Sequence, residues 1–198
     1  MTVAVPGAVA TGPGPKQRGS RTCRSAVVSR LTELDTATLV GVQSLAHVTG
    51  ARRGALVLSG LGEHAAAWLV VGALGAALDP ARRGPWLRAT TAVLGAHAVS
   101  VVLKRIVRRH RPTDPRVQVL GPTAGRWSFP SAHAASTAAA GVAYSAVLGR
   151  RSALLPVPAM MASRVLLGVH YPGDVLAGAA IGAAVGHWLP RSRRVWGL

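Results

Sequence analysis

Five apolar segments separated by basic or proline-containing connections make up most of the sequence after residue 50. They cover residues 55–78, 86–104, 131–148, 153–169 and 174–189. Each approaches the ~20 residues that a helix needs to cross a bilayer. Hydrophobic residues make up 49% of the chain but aromatic residues only 4%, and helices that pack in lipid use small side chains in this way. The pattern predicts an all-α, polytopic membrane helix bundle with about five transmembrane helices.

Two further segments precede these five. Residues 1–30 are rich in Gly, Pro, Ser, Thr and Arg and lack the continuous apolar stretch of a secretory signal, which predicts a disordered basic tail. Residues 32–48 combine moderate apolar periodicity with acidic residues near their start, which predicts an amphipathic helix at the membrane interface. The sequence therefore predicts a tail over residues 1–30 and a membrane domain over residues 31–198.

The formal net charge of +17 fits a nucleic acid, an anionic membrane surface or an anionic substrate as partner. The basic residues gather at the ends of the apolar segments, where membrane proteins place them. A protein that binds nucleic acid more often spreads them over a polar face with interleaved aromatic residues. The pattern therefore favours membrane lipids and an anionic substrate as partners, with no nucleic acid.

The first polar motif ends the second apolar segment. Lys104, Arg108 and Arg111 share one face if residues 100–111 are helical, and Pro112 then ends the helix at Arg111. Fixed cations bind phosphate oxygens, Arg through a bidentate fork and Lys as a point charge. Basic clusters at the ends of membrane spans are also common. That second explanation better fits three neighbours, Arg105, Arg109 and Arg116.

The second motif runs from Ser128 to His133 and signals the start of a helix. A helix start offers unpaired N–H groups and a partial positive charge, both of which suit an anion. Ser131 can donate its hydroxyl to a phosphate oxygen, and His133 follows two residues later. A capped helix with an incidental histidine explains the same residues.

The third motif contains Arg164, His170 and Asp174. Arg164 lies within an apolar segment, where a charge is costly and usually functional. Asp174 fits the N-cap of the last helix, and it can also accept a hydrogen bond from the imidazole N–H of His170. The three motifs together supply two histidines, a carboxylate, three cations and a hydroxyl. Such a set can transfer a phosphoryl group through a phosphohistidine without a metal.

Five spans also place the motifs relative to one another. The loops over residues 105–130 and 170–173 then face the same side of the membrane as the start of the first span near Glu63. The motifs therefore converge on one face, and their apolar surroundings indicate a phosphorylated lipid as substrate. Basic residues occur on both sides, so the positive-inside rule leaves the orientation open.

The three motifs resemble the signature of the type 2 phosphatidic acid phosphatase (PAP2) superfamily, which also includes soluble vanadium haloperoxidases. Its signature is Lys-x6-Arg-Pro, Pro-Ser-Gly-His and Ser-Arg-x5-His-x3-Asp. The matching residues are Lys104-Arg111-Pro112, Pro130-Ser131-Ala132-His133 and Ser163-Arg164-His170-Asp174. Ala132 stands where the family usually has Gly, and it retains the backbone N–H that this position contributes. The resemblance covers residues 55–190 and implies a PAP2/haloperoxidase-like helical core.

The resemblance also implies roles for the motif residues in a phosphatase that needs no metal or cofactor. His170 is the nucleophile, Asp174 holds its other ring nitrogen, and His133 protonates the leaving group. The phosphate is bound by five further residues, Lys104, Arg111, Ser131, Ala132 and Arg164.

More narrowly, Gly62-Glu63-His64 with Trp68, and residues 96–100, resemble an actinobacterial branch of the superfamily. That branch includes the decaprenylphosphoryl-5-phosphoribose phosphatase of cell-wall arabinan precursor synthesis, which implies a polyprenyl-linked substrate at a bacterial inner membrane. Glu63 and His64 could then contact head-group hydroxyls, or they could form an interfacial pair that closes the bundle. Residues 55–78 accordingly form one long span or a short interfacial piece followed by a span from near Gly62.

Three other functions remain open. A polyprenyl diphosphate or phosphatidylglycerophosphate phosphatase would use the same motifs, because the motifs bind phosphate rather than lipid. A vanadate haloperoxidase shares the anion pocket, but the predicted membrane spans disfavour it. A non-catalytic protein that binds anionic lipid through its basic rim would leave His170 and His133 dispensable.

Overall fold

The computed structural model describes residues 19–44, 50–123 and 125–191, with side chains from residue 30 onward. Contacts within the chain separate residues 1–34 from a compact unit of residues 35–198. The described residues form seven α-helices: α1 (Gly19–Gln43), α2 (Ala51–Leu61), α3 (Ala66–Leu78), α4 (Arg83–Val107), α5 (Ala132–Leu148), α6 (Pro156–Leu166) and α7 (Pro172–Trp188). Four 3₁₀ turns cover Glu63–Ala65, Pro80–Arg82, Arg151–Leu154 and Leu189–Arg191. Since these residues contain no β-strand, the predicted all-α class is confirmed.

Helix α5 lies at the centre of the bundle and contacts α4, α6 and α7. Its contact with α7 depends on three glycines spaced four residues apart, Gly178, Gly182 and Gly186, which face the backbone of α5. A Cβ added at Gly186 would lie 2.6 Å from the carbonyl oxygen of Ala139. The small residues therefore let the two helices approach closely, as the spacing indicates.

Hydrogen bonds join α3 to α5 inside the apolar core. The indole N–H of Trp68 donates to the Thr137 hydroxyl at 3.0 Å, and the Tyr144 hydroxyl donates to the Trp68 carbonyl at 2.6 Å. Tyr144 also packs on Trp86 of α4, with ring centroids 5.2 Å apart. Trp68 therefore has a structural role in this core.

The first apolar segment is broken rather than continuous. Helix α2 and the helical stretch Glu63–Leu78 meet at an angle of 52°. His64 (φ 48°) and Ala65 (φ 61°) both adopt left-handed backbone conformations at the break. Gly62 is required beside them, because an added Cβ would lie 2.7 Å from His133 Cδ2 and from Met160 Cε. Of the two predicted forms, the structure has the short piece followed by a second helix.

One helical stretch of the described residues, Pro80–Val107, is long and apolar enough to cross a membrane. The bent pair Ala51–Leu61 and Glu63–Leu78 adds a second if it counts as one span. Helices α5, α6 and α7 have 17, 11 and 17 residues, which is shorter than the ~20 residues of a typical span. The count of five spans therefore stays a prediction.

The structure differs from the predicted tail and interfacial helix at the N-terminus. Helix α1 begins at Gly19, so residues 19–30, which the sequence predicts to be disordered, are helical. The tail's prolines and its other glycines all precede Gly19, and the chain behind them is free of strong helix breakers. The predicted helix over residues 32–48 is present as far as Gln43. Residues 1–18 and 45–49 lie outside the described residues.

Candidate active site

A pocket of about 330 Å³ lies where α4 ends and α5 begins. Its lining includes six of the eight predicted catalytic and phosphate-binding residues: Lys104, Arg111, Ala132, His133, Arg164 and His170. Glu63 and His64 line it as well. Ser131 and Asp174 are fully buried behind it. The structure thus brings together residues from three motifs that are far apart in the sequence.

His170 is held with one ring nitrogen against a carboxylate. Its Nδ1 is buried and lies 3.6 Å from Asp174 Oδ2, just beyond hydrogen-bonding distance. Its Nε2 lies 3.5 Å from Arg111 Nη1, on the pocket side. Burial, and to a smaller extent the cations of the pocket, lower the pKa of His170 from 6.5 to about 3, although Asp174 opposes the shift. The imidazole is therefore neutral at physiological pH, as a nucleophile must be.

Asp174 is fixed by two strong donors. Its Oδ2 accepts from the Tyr171 backbone N–H at 3.0 Å, and its Oδ1 accepts from Arg109 Nη1 at 2.8 Å. Tyr171 is the N-cap of α7, so Asp174 caps this helix from its third position rather than as the predicted N-cap. The carboxylate thus supports both the helix start and the imidazole.

Arg109 joins this carboxylate to a second one. Its guanidinium lies 2.7 Å from Asp35 Oδ2 and 2.8 Å from Asp174 Oδ1, and its Cζ lies 4.1 Å from the centroid of the Tyr171 ring. Asp35 also accepts the Gly173 N–H at 2.8 Å. In the sequence alone, Arg109 resembles an ordinary basic residue at a span end, and Asp35 was not predicted to belong to the site. The available signal was scarcity, because the chain has only six acidic residues.

Three cations line the pocket, each bound to neutral oxygen atoms within the described residues. Lys104 Nζ donates to the carbonyls of Trp127 and Ser128 at 3.2 and 2.9 Å. Arg111 donates to the carbonyls of Gly125 and Val169 at 2.9 and 2.6 Å. Arg164 is 2% exposed and donates to the Ser59 hydroxyl, while its Nε has no partner among the described residues.

No carboxylate in the described ranges lies within 4.0 Å of these three groups. Buried cations normally have a charged partner, so the arrangement suits a bound anion. Within the same ranges, no group of three or more His, Cys, Asp or Glu side chains is placed to hold a metal ion.

The predicted helical stripe of Lys104, Arg108 and Arg111 is wrong. Helix α4 ends at Val107, and Arg108 adopts a left-handed conformation (φ 52°) as its C-cap. The chain then turns back, and the Ser128 N–H donates to the Arg109 carbonyl at 2.8 Å. Arg111 reaches the pocket from this extended segment, while Arg108 points into a neighbouring recess.

The start of α5 supplies the next part of the pocket. Ser131 is the N-cap, and its hydroxyl accepts from the Ala134 N–H at 3.4 Å. The structure thus places this hydroxyl as a helix cap, the alternative that the sequence left open. Ala132 begins the helix and lines the pocket, where the first N–H groups of a helix lack partners within it.

His133 stands close to the α2–α3 break. Its Nε2 lies 3.1 Å from the Ser59 carbonyl and 3.8 Å from Glu63 Oε2. Glu63 Oε1 lies 3.6 Å from His64 Nδ1, and the His64 ring centroid lies 6.2 Å from that of His97. The break therefore brings Glu63 and His64 to the pocket, next to one of the two predicted catalytic histidines.

Residues 85–197, more than half of the chain, match the PAP2 superfamily. The chain belongs to the PAP2 superfamily. The matched region contains every residue of the three motifs, whereas Glu63 and His64 precede it. The resemblance that the motifs indicate is confirmed.

Two relatives of this PAP2 chain are mycobacterial proteins named decaprenylphosphoryl-5-phosphoribose phosphatase. The one from Mycobacterium tuberculosis is 46% identical over 153 residues, which cover 77% of this chain and 86% of the relative. The one from Mycolicibacterium smegmatis is 48% identical over 143 residues, which cover 72% and 79%. A lipid A 4'-phosphatase from Bacteroides thetaiotaomicron is 35% identical over 98 residues, 44% of this chain and 43% of the relative. No solved structure matches the chain.

Proposed function

We propose that the protein is a membrane lipid phosphatase that converts decaprenylphosphoryl-5-phosphoribose to decaprenylphosphoryl-ribose in the synthesis of cell-wall arabinan precursors. The observation that carries the proposal is the pocket in which neutral His170 lies beside three cations that form no ion pair with any carboxylate of the described residues. The substrate follows from the two mycobacterial relatives, which share 46% and 48% of the aligned residues.

The phosphomonoester binds first through its non-bridging oxygens. The side chains of Lys104, Arg111 and Arg164 surround the bound phosphate and neutralise the negative charge of its oxygens. The Ala132 N–H adds a donor at the start of α5. Ser131 contributes by capping α5 and so fixing the direction of that N–H. Because these groups are arranged before the substrate binds, little reorganisation is needed as charge develops.

The reaction then proceeds in two steps. His170 Nε2 attacks phosphorus in line with the ester oxygen, and the P–O bond to the ribose breaks as the P–N bond forms. Asp174 accepts a hydrogen bond from the Nδ1–H group and stabilises the positive charge that the imidazole gains. His133 protonates the departing alkoxide and then takes a proton from the water that hydrolyses the phosphohistidine. Inorganic phosphate leaves, and both histidines return to their starting states.

The α2–α3 break supplies the contacts to the sugar. Glu63 lies near His133 and half exposed to the pocket, so its carboxylate can accept hydrogen bonds from ribose hydroxyls. His64, which is 75% exposed, can donate or accept beside it. These contacts would distinguish a sugar phosphate from a glycerol phosphate, which offers fewer hydroxyls at this position.

The proposal includes the membrane arrangement. The protein spans the bacterial inner membrane five times, with part of α1 at the interface. The apolar character of the helix over Pro80–Val107 supports it, as do exposed apolar side chains such as Leu74, Val102, Ile106 and Leu176. Such side chains are stable where they face lipid rather than water.

Phosphate release by the purified protein in neutral detergent with EDTA tests the proposal. The substrates are a polyprenylphosphoryl-5-phosphoribose, a polyprenyl diphosphate, phosphatidic acid and phosphatidylglycerophosphate. We expect metal-independent release with a preference for the phosphoribose, lost in His170→Ala and retained in the matched control His187→Ala at the far end of α7. A preference for another lipid of the panel would identify that lipid as the substrate instead. Phosphate release by His170→Ala would contradict nucleophilic attack by His170.

A further inference from the structure

A second basic recess lies beside the catalytic pocket. It has a volume of about 340 Å³ and is lined by Arg105, Arg108, Arg126 and Trp127. Arg105 and Trp127 also line the catalytic pocket, so the two cavities share a wall. The proposed chemistry uses none of the three arginines, which leaves this recess without a function.

Local structure holds the three arginines together despite their like charges. Arg108 occupies the left-handed C-cap of α4, and its Nε donates to the Arg105 carbonyl at 2.9 Å. The guanidinium carbon of Arg126 lies 5.5 Å from the centroid of the Trp127 ring. In the part of the chain that the structure describes, no carboxylate lies within 4.0 Å of any of the three. A cluster of cations with no anionic partner attracts an anion from outside the protein.

Trp127 connects this recess to the phosphate-binding groups. Its backbone carbonyl accepts from Lys104 Nζ at 3.2 Å, while its ring carries Arg126 on one side and meets the His110 ring, 4.8 Å away, edge-on. The wall between the cavities is therefore tied to a cation of the catalytic pocket. An anion in the recess would lie at a fixed position relative to the scissile phosphate.

We propose that the recess of Arg105, Arg108 and Arg126 is a second anion subsite, which binds the phosphodiester that links the sugar to the polyprenyl chain. This inference rests on the proposed function, whose substrate carries one phosphate at each end of a pentose. The catalytic pocket then binds the terminal phosphomonoester, and the sugar lies along the shared wall. Both charges of the substrate are neutralised, so a lipid with a single phosphate binds more weakly.

A pair of substrates tests the subsite. One is a polyprenylphosphoryl-5-phosphoribose, and the other is a polyprenyl riboside 5-phosphate of the same chain length that lacks the phosphodiester. The double variant Arg108→Gln/Arg126→Gln removes two cations that do not line the catalytic pocket. Arg150→Gln/Arg151→Gln is the matched control, because these residues follow the far end of α5, about 25 Å from its start at the 1.5 Å rise of a helix residue.

In neutral detergent, we expect the double variant to raise KM for the phosphodiester substrate about tenfold. This is the smallest change expected when hydrogen bonds to a charged group are lost. Its kcat should stay within about twofold, and its KM for the riboside 5-phosphate should not change. The control variant should match the wild type with both substrates.

Three results would overturn the inference. An equal rise in KM for both substrates, reversed by adding anionic phospholipid, would assign the arginines to the bilayer surface. If the double variant leaves both KM values unchanged and the wild type hydrolyses both substrates equally well, the recess is not a subsite. The proposed function then still stands. A wild type that hydrolyses neither would contradict the proposed function and the subsite together.

Discussion

Two walls of the catalytic pocket differ in how their charged groups are held. The paired wall consists of His170, which lines the pocket, and of Asp174, Arg109 and Asp35 behind it, and its two salt bridges measure 2.7 and 2.8 Å. The open wall consists of Glu63, His64 and His97, where the two contacts of Glu63 measure 3.6 and 3.8 Å. The Nδ1 of His97 is buried without a partner in the described part of the chain.

The difference separates chemistry from selectivity. Groups that act on developing charge are most effective when they are already in position, because no free energy is then lost in reorganising them. Groups that recognise a sugar need free donors and acceptors. Under the proposed function, the paired wall therefore suits the phosphoryl transfer, and the open wall suits the recognition of the sugar.

Backbone conformation shows the same contrast. His64 and Ala65 both adopt left-handed conformations on the open wall, which cost roughly 1–2 kcal/mol for each residue other than glycine. The paired wall instead uses a capping box at the start of α7. Strained backbone concentrates at functional sites, and here it turns Glu63 toward His133.

Loss of Asp174 should break the paired wall most severely. Asp174→Asn removes the negative charge beside His170 and leaves Arg109 with one carboxylate. We expect kcat to fall by about 10²–10⁴-fold, as when the carboxylate of a catalytic triad is neutralised. Measured phosphate release that stays within threefold of the wild type would show that the carboxylate does not assist the nucleophile.

Removal of one phosphate-binding cation should have the next largest effect. Lys104→Ala is expected to lower kcat by about 10²–10³-fold, the scale of one lost oxyanion donor. Arg83→Ala is the matched control, because Arg83 begins the same helix at its other end. Equal rates for the two variants would show that Lys104 acts only as a basic span end.

Arg109 should act through Asp174 rather than on the substrate. Arg109→Gln is expected to lower kcat about tenfold, since the charge-assisted hydrogen bond to Asp174 is lost together with that to Asp35 and only the first acts on His170, with little change in KM. Arg109→Lys should restore part of the rate, because it keeps the charge. A change in KM alone, or a thermal destabilisation that accounts for the lost rate, would contradict a positioning role.

The buried neutral state of His170 should make stability depend on pH. The unfolded chain protonates this histidine below its ordinary pKa of 6.5, whereas the folded protein resists protonation until about 3. Stability should therefore fall as the pH decreases from 6.5 toward 3, by about 2 kcal/mol at pH 5. Thermal unfolding in detergent at pH 7 and pH 5 measures the change. His170→Asn should reduce it, and an identical pH dependence in that variant would rule out this contribution.

The open wall should give the smallest but most selective effect. Glu63→Gln is expected to change the ratio of kcat/KM between the phosphoribose lipid and phosphatidic acid by about tenfold, the scale of one hydrogen bond to a charged group. If the rates for both substrates fall equally and the unfolding temperature also falls, Glu63 instead belongs to a structural pair that closes the bundle.

The sequence predicted the helical class, and six of the eight residues that it proposes for catalysis and phosphate binding line one pocket. Arg164 stands out because a charge within an apolar segment is costly, and Lys104 and His170 stand out through the combined spacing of the three motifs. The α2–α3 break was one of the two forms that the sequence allowed, because Glu63 and His64 interrupt an otherwise apolar stretch. These features depend on residue type and local spacing, which a single sequence contains.

Other features depend on distant contacts that a single sequence does not contain. In the sequence, nothing distinguishes Arg109 from its basic neighbours. In the structure, Asp35 on α1 lies 2.7 Å from its guanidinium. The end of α4 at Val107 depends on the chain returning to pair Ser128 with Arg109. Prediction from local helix propensity and Pro112 alone therefore ends this helix at Arg111, four residues after its observed end at Val107.

The most direct test of the account is to trap the covalent intermediate. The protein is mixed with excess phosphoribose lipid, quenched in alkali within milliseconds to preserve phosphohistidine, digested and sequenced by mass spectrometry. The account predicts one phosphorylated residue, His170, with none in His170→Ala and normal labelling in His187→Ala. Turnover at the full rate without phosphate on His170, or phosphate on a different residue, would contradict it.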